Sequence, residues 1–113
     1  MVNSVAITPD GKTLVSGSDD QTVKMWDVAS GRLLRTFKGH TNLVNAVAIT
    51  SDGQMAISAS HDHTIKVWDV TSRTSRQTLR GHVGRIVSIA LSRDGQTLAS
   101  GGEDETIKIW RKL

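Results

Sequence analysis

The 113-residue sequence has no cysteine. Disulfides, thiolate metal sites and cysteine nucleophiles are therefore excluded. A chain without disulfides is expected in a reducing compartment, here taken as the cytoplasm. Aromatic bulk is scarce, with one Phe, three Trp and no Tyr, so a single compact core built from this chain would be thin. No apolar run approaches the ~20 residues of a membrane-spanning helix, and stretches such as Ile86 to Leu91 have only the length of a strand. No basic-then-apolar leader precedes the strand pattern that starts at Val2. No Asn-x-Ser/Thr acceptor occurs. These absences argue against a membrane partner.

Charge of one sign is also missing as a block. The net charge is +3, but residues 1–42 carry five Lys/Arg against four Asp/Glu, residues 43–84 four against three, and residues 85–113 five against four. A nucleic-acid footprint normally clusters its basic residues, so the even spread argues against that partner class. With 37% apolar and 22% charged residues, the composition is globular rather than disordered.

What the sequence does have is a repeat. Trp26, Trp68 and Trp110 lie 42 residues apart, as do Gly39-His40 and Gly81-His82, and the pairs Asp10-Gly11, Asp52-Gly53 and Asp94-Gly95. Residues 2–42 laid on 44–84 give 20 identities. Such a period marks one supersecondary unit per repeat, stacked on its neighbours. Within a unit the signals are those of strands. Val44 to Ile49 alternates as a half-buried strand does, and Ser51-Asp52-Gly53 reads as a turn. Met55 to Ser60 is a second strand, and His61-Asp62-His63 turns into a third, Thr64 to Val70, rich in β-branched residues. A loop at Thr71 to Arg73 leads to a weaker fourth strand, about Ser75 to Leu79. Four short antiparallel strands per repeat predict a propeller blade.

The units resemble the WD40-repeat family. The likeness is carried by Gly39-His40, Ser58, Asp62, Thr64 and Trp68-Asp69 in the middle unit. In the third it is carried by Gly81-His82, Ser100, Asp104, Thr106 and Trp110, and in the first by Ser16, Asp20, Thr22 and Trp26-Asp27. It covers essentially the whole chain. It implies an all-β fold of propeller blades within one WD-repeat domain, residues 1–113, in units of about 2–42, 43–84 and 85–113. There are two departures. Trp110 is followed by Arg111 rather than Asp, with Leu113 last, so the third blade is expected to lack its outer strand. The first blade has no Gly-His before it, and the N-terminal segment that often supplies the missing strand in this family is not expected here.

The resemblance further implies a hydrogen-bonded network in each blade, from Trp indole to Ser hydroxyl, Ser to His, and His to Asp. Its expected members are His40, Ser58, Asp62 and Trp68; His82, Ser100, Asp104 and Trp110; and Ser16, Asp20 and Trp26. Spacing selects the serines. Ser16, Ser58 and Ser100 stand ten residues before each Trp, whereas eight before it stand Ser18, Ser60 and Gly102, so only the first set keeps its hydroxyl. The same residue types can make a Ser-His-Asp nucleophilic set. Recurrence at the fold period argues instead for structure, because catalysis needs one site while every blade must satisfy its buried polar groups. No catalytic residue and no cofactor is expected.

Candidate binding positions follow from the same pattern. The turns Asp19-Asp20-Gln21, His61-Asp62-His63 and Glu103-Asp104-Glu105 should share a rim with Asn3, Thr41, Asn42, Leu43, Asn45, Val83, Gly84, Arg85 and Val87. Of these, Leu43, Asn45, His61, His63, Arg85 and Val87 are the candidates for contacting a protein or peptide partner, Arg being favoured at binding hot spots. His61 and His63 can ligate a metal, but no further ligand lies near in sequence, so they read as exposed turn residues. Arg73, Arg76 and Arg80 read as charges that blunt a strand edge. Gly101-Gly102 lacks the strand-to-helix setting of a phosphate loop. Because propellers close with about four to eight blades, an arc of three is expected to complete its ring as part of a larger propeller or by assembly of copies, with heterologous contacts. The function implied is a non-catalytic protein-interaction scaffold. The alternatives are a nucleic-acid-binding or purely structural propeller fragment.

Overall fold

A computed structural model describes residues 1–72 and 74–111, with Thr74 and Arg76 described by their backbone alone. The described residues form eleven strands and no helix. The first sheet holds β1 (Val2–Ile7), β2 (Thr13–Ser18), β3 (Val23–Asp27) and β4 (Arg32–Phe37) in sequence order. The second holds β5 (Val44–Ile49), β6 (Met55–Ser60), β7 (Thr64–Asp69) and β8 (Thr74–Arg80). The third holds β9 (Ile86–Leu91), β10 (Thr97–Gly102) and β11 (Ile107–Arg111). All neighbouring pairs are antiparallel. Each sheet is a propeller blade, and the three form an open arc with principal extents of 40 × 29 × 21 Å.

The first hairpin of each blade is built by the same device. Asp10 and Asp52 accept hydrogen bonds from the Thr8 and Thr50 hydroxyls at 2.7 Å, and Asp94 from the Ser92 hydroxyl at 2.6 Å. The glycine after each Asp sits at φ of 72–74°, where a side chain would be strained. The third strand of the middle blade ends at Asp69, not Val70, because the Asp69 carboxylate takes the amides of Thr71 and Ser72 at 2.9 and 3.2 Å and turns the chain. The fourth is longer than the sequence signals, pairing with β7 from Asp69↔Thr74 to Thr64↔Arg80. Its side chains are mostly polar, so the backbone ladder rather than an apolar pattern defines it.

The core lies between blades, not inside them. At the first junction Val15, Val23, Met25 and Phe37 of blade one pack on Val44, Val47, Ala56 and Trp68 of blade two. The Phe37 and Trp68 rings are 5.3 Å apart and tilted by 31°. At the second junction Ile57, Ala59, Ile65 and Val67 pack on Ile86 and Leu98, with Ile89, Leu91 and Trp110 beside them. Fully burying one Val or Ile contributes about 1.5–3 kcal/mol, so each junction is a substantial part of the stability. Gly17 marks the closest approach. A Cβ there would fall 2.5 Å from Val44 Cγ1. The outward faces of the first and third blades carry the same apolar pattern without cover. Val2 and Val5 are each 60% exposed, Ile107 77% and Ile109 53%.

Candidate functional site

His40 enters from the β4–β5 loop, Ser58 from the middle of β6, Asp62 from the β6–β7 turn and Trp68 from β7. The Trp68 indole donates to Ser58 Oγ at 2.8 Å, Ser58 Oγ lies 2.6 Å from His40 Nε2, and His40 Nδ1 lies 2.8 Å from Asp62 Oδ2. Burial works to raise the Asp62 carboxyl. The Thr64 hydroxyl, His40 and the Thr41 amide outweigh it and hold the pKa at about 2. Burial pushes the His40 imidazole below its ordinary value, against the pull of Asp62. An ionised Asp62 only accepts, so Nδ1 carries the imidazole proton and Nε2 accepts from the Ser58 hydroxyl. This tautomer is assigned from the network. Gly39 lets the loop pass close to the indole, since a Cβ there would sit 3.0 Å from Trp68 Cη2.

The third blade repeats the arrangement. Trp110 Nε1 donates to Ser100 Oγ at 2.9 Å, Ser100 Oγ is 2.7 Å from His82 Nε2, and His82 Nδ1 is 3.1 Å from Asp104 Oδ2. The Thr106 hydroxyl leads in holding Asp104 well below the usual carboxylate range. In the first blade the bonds fall into two parts. Trp26 donates to Ser16 at 3.0 Å, and Thr22 donates to Asp20 through its amide at 3.0 Å and its hydroxyl at 2.5 Å. The Thr22 hydroxyl leads in lowering Asp20 to about 2.

The proton order Ser–His–Asp is that of a hydrolase, but the setting is not. Ser58 is wholly buried and Ser100 is 1% exposed, and each Oγ already accepts an indole N–H. A nucleophile needs a lone pair aimed at an accessible carbon; here one of the two lone pairs accepts the indole N–H and burial closes the other to substrate. Every buried side-chain nitrogen and oxygen among the described residues has a partner, and the network fastens the β4–β5 loop, β6, the β6–β7 turn and β7 to one another.

The β6–β7 turn and its equivalents lie at the same end of the sheets as the loops entering β1, β5 and β9. His61 N donates to Leu43 O at 3.1 Å and Glu103 N to Arg85 O at 2.9 Å. Leu43 is half-buried, and its carbonyl also accepts the Ser60 hydroxyl at 2.8 Å. Arg85, Val87 and His63 are exposed and His61 is half-exposed. Arg85 Nε lies 3.8 Å from Glu103 Oε1, an exposed pair that contributes little. Val83 stands 81% exposed on the same rim.

Asn45 is engaged inside the arc rather than offered outward. The register shifts in the innermost strand pairs leave Asn3, Asn45 and Val87 as bulge residues, and a bulge re-aims its side chain. Asn45 Nδ2 donates to Val87 O at 3.0 Å and Asn3 Nδ2 to Val44 O at 3.0 Å, each across a blade junction. Asn recurs at the same phase of the first two units, but residue type alone does not reveal that a bulge aims it across the junction.

Among the described residues no group of three or more His, Asp or Glu is placed to hold a metal ion. The described residues hold no helix long and apolar enough to cross a membrane. Arg73 and the Arg76 side chain lie outside the described residues, while Arg80 is exposed at the end of β8. Gly101 and Gly102 are the last two residues of β10, and the next element is the strand β11 rather than a helix.

A family model, WD40, described as a WD domain, G-beta repeat, matches residues 1–27, 31–69 and 73–111. Ribosome biogenesis protein BOP1 homologs from Drosophila erecta and Drosophila melanogaster are each 55% identical over 38 residues, 34% of this chain and 5% of theirs. The homolog from Drosophila willistoni is 53% identical over the same share. The stretch matched therefore spans one-twentieth of these curated relatives, and it has about the length of one blade.

Proposed function

The chain belongs to the WD40-repeat family, and from that premise we propose that it is a non-catalytic scaffold whose rim binds protein or peptide partners. The observation that carries this reading is a contrast within each β2–β3-type turn. The framework pair is constant, Asp20 with Thr22, Asp62 with Thr64 and Asp104 with Thr106, each joined by a hydroxyl-to-carboxylate bond of 2.5–2.6 Å. The flanking residues differ: Asp19 and Gln21, His61 and His63, Glu103 and Glu105. One rigid support thus displays three chemistries side by side, together with Val83, Arg85 and Val87. Rigid scaffolds that carry variable loops are a common basis for recognition.

The likeness to ribosome biogenesis proteins supports kinship of the blade. It covers too little of those proteins to bring their partners to this chain, and a fold alone does not fix what it binds. The test is selection of peptides from a random displayed library against the 113-residue chain, followed by affinity measurements on rim variants. Arg85→Glu and Val83→Asp are expected to weaken the selected peptides at least tenfold. Lys12→Glu, exposed in the turn at the opposite end of the sheets, should leave affinity unchanged. Peptides that tolerate both rim variants but lose binding to Lys12→Glu would overturn the proposal.

A further inference from the structure

The outer strands of blades one and two lie at the perimeter of the arc. Among the described residues β4 pairs with β3 alone and β8 with β7 alone. Blades succeed one another around a propeller, so a further blade adds beside these strands and never outside them. The outer side of β4 therefore carries a row of backbone N–H and C=O groups that blade packing leaves unpaired. Such an edge is a template for another strand unless it is blunted.

The two edges are furnished differently. Each is bulged where its register shifts, and the extra residue is Leu34 in β4 and Arg76 in β8. Beside it stands Leu33 in β4 and Ser75 in β8. Blade two thus has an arginine and a serine where blade one has two leucines, which are 44% and 46% exposed. The openness at Leu33 belongs to the position. Its counterpart Ser75 is exposed as well, although Trp68, with which Ser75 pairs, is buried in the first junction.

The leucines are set among cations. Residues 32–38 contain Arg32, Arg35 and Lys38 and no Asp or Glu. Arg32 stands opposite Asp27. The ion pairs of the described residues involve neither Arg35 nor Lys38. Open backbone, apolar side chains and uncompensated positive charge thus share one strand.

We infer that the β4 edge receives an extended acidic segment of a partner protein, which adds to blade one as a fifth strand. In strand addition the backbone ladder gives affinity, and alternate side chains of the added strand give specificity. Carboxylates of the segment meet Arg35 and Lys38, and its apolar residues cover Leu33 and Leu34. A nucleic-acid phosphate chain would match the cations but leave the backbone edge and both leucines unmatched. The surface is the outer side of the blade rather than the rim, so the inference does not depend on what the rim binds.

The probe is a blocked ten-residue peptide of alternating Glu and Val, compared with a Lys–Val peptide of the same length. The readout is hydrogen exchange of the 113-residue chain at neutral pH. The Glu–Val peptide is expected to slow the exposed amides of residues 32–38 by about tenfold, as they pass from water into a ladder, and to leave residues 83–87 unchanged. Leu33→Ser with Leu34→Ser should abolish this protection, as should Arg35→Glu with Lys38→Glu. The charge-reversed chain should respond to the Lys–Val peptide instead, a gain that a failure to fold cannot imitate. Equal protection of the parent by both peptides, or none by the Glu–Val peptide, overturns the proposal. Protection that survives charge reversal but is lost in Val83→Asp puts the peptide on the rim; that overturns the inference and leaves the scaffold reading standing. Protection by oligouridylate alone marks a phosphate site. Protection that rises with chain concentration in the absence of peptide marks a second copy as the occupant, and either result overturns the inference.

Discussion

Removing one oxygen atom should separate a fastening role for the buried serines from an incidental one. Ser58→Ala deletes the atom that accepts from Trp68 Nε1 at 2.8 Å and meets His40 Nε2 at 2.6 Å. Both partners are buried, His40 at 5% and Trp68 at 2% exposure, and the space vacated by one oxygen is too small to admit a water. Each buried polar group left without a partner costs about 1–3 kcal/mol, so with two such groups the substitution should cost about 2–6 kcal/mol. At about 4 °C per kcal/mol for a chain of this size, the melting temperature should fall by roughly 8–24 °C. Ser16→Ala is the internal control. Ser16 holds only Trp26, which is half-buried and can turn its N–H to water, so the loss should stay under about 1 kcal/mol. The assay is a thermal melt followed by circular dichroism at one fixed chain concentration, since association would make the midpoint concentration-dependent. Equal shifts for the two variants, or a shift below about 4 °C for Ser58→Ala, would refute the reasoning.

Two further outcomes follow from the same geometry. The native pKa of His40 lies below its ordinary 6.5 because it is buried, so below pH 6.5 the unfolded chain binds a proton that the native state refuses. Stability should therefore fall as the pH drops through 6.5, by at most about 1.4 kcal/mol per pH unit for this group. Asp62, held at about 2 against 3.8, adds a second loss as the pH falls through that window. Urea midpoints between pH 7 and 5 should fall less steeply in His40→Gln than in the parent, and an equal slope would count against burial as the cause. Gln21, His63 and Glu105 sit at φ of 75°, 75° and 63° without being glycine. A left-handed residue costs about 1–2 kcal/mol, whereas glycine gives back about 0.5–1 in chain entropy. Gln21→Gly should accordingly raise the melting temperature by roughly 2–4 °C, and a decrease would show that these turns are not strained.

The blade was legible because its signals are local and repeated. Alternation at Val44 to Ile49 and the Asp-Gly turns mark strands and hairpins within a few residues of each other, and the period multiplies the evidence. The Trp-bonded serine was legible for a related reason, since only one of two candidate phases keeps its hydroxyl in all three units. The role of Asn45 was not. A bulge changes where a side chain points without changing any residue type, and the acceptor, Val87 O, lies 42 residues away. The ends of β7 and β8 were missed for a similar reason. Asp69 stops its strand by side-chain bonds to the backbone, and β8 is held by a ladder that polar side chains conceal.

Burial itself is the property that the repeat leaves undetermined. Ile65 and Ile107 occupy the same phase of the same strand pattern, yet one is fully buried and the other 77% exposed. From Thr to Trp the two strands differ only at Val67 against Ile109; the difference in burial lies in the neighbouring blade that covers Ile65. Periodicity therefore tells which face of a blade is apolar, while its burial depends on the blade packed against it. The rim obeys the opposite logic. There the Asp–Thr pairs keep the period because they hold the turn together, and the residues flanking them depart from it because nothing in the fold requires them to match. The blade-building residues are thus those locked to the 42-residue phase. Under the proposed scaffold reading, specificity resides in the positions that break it: His61 and His63 against Glu103 and Glu105, and Arg85 against Leu43.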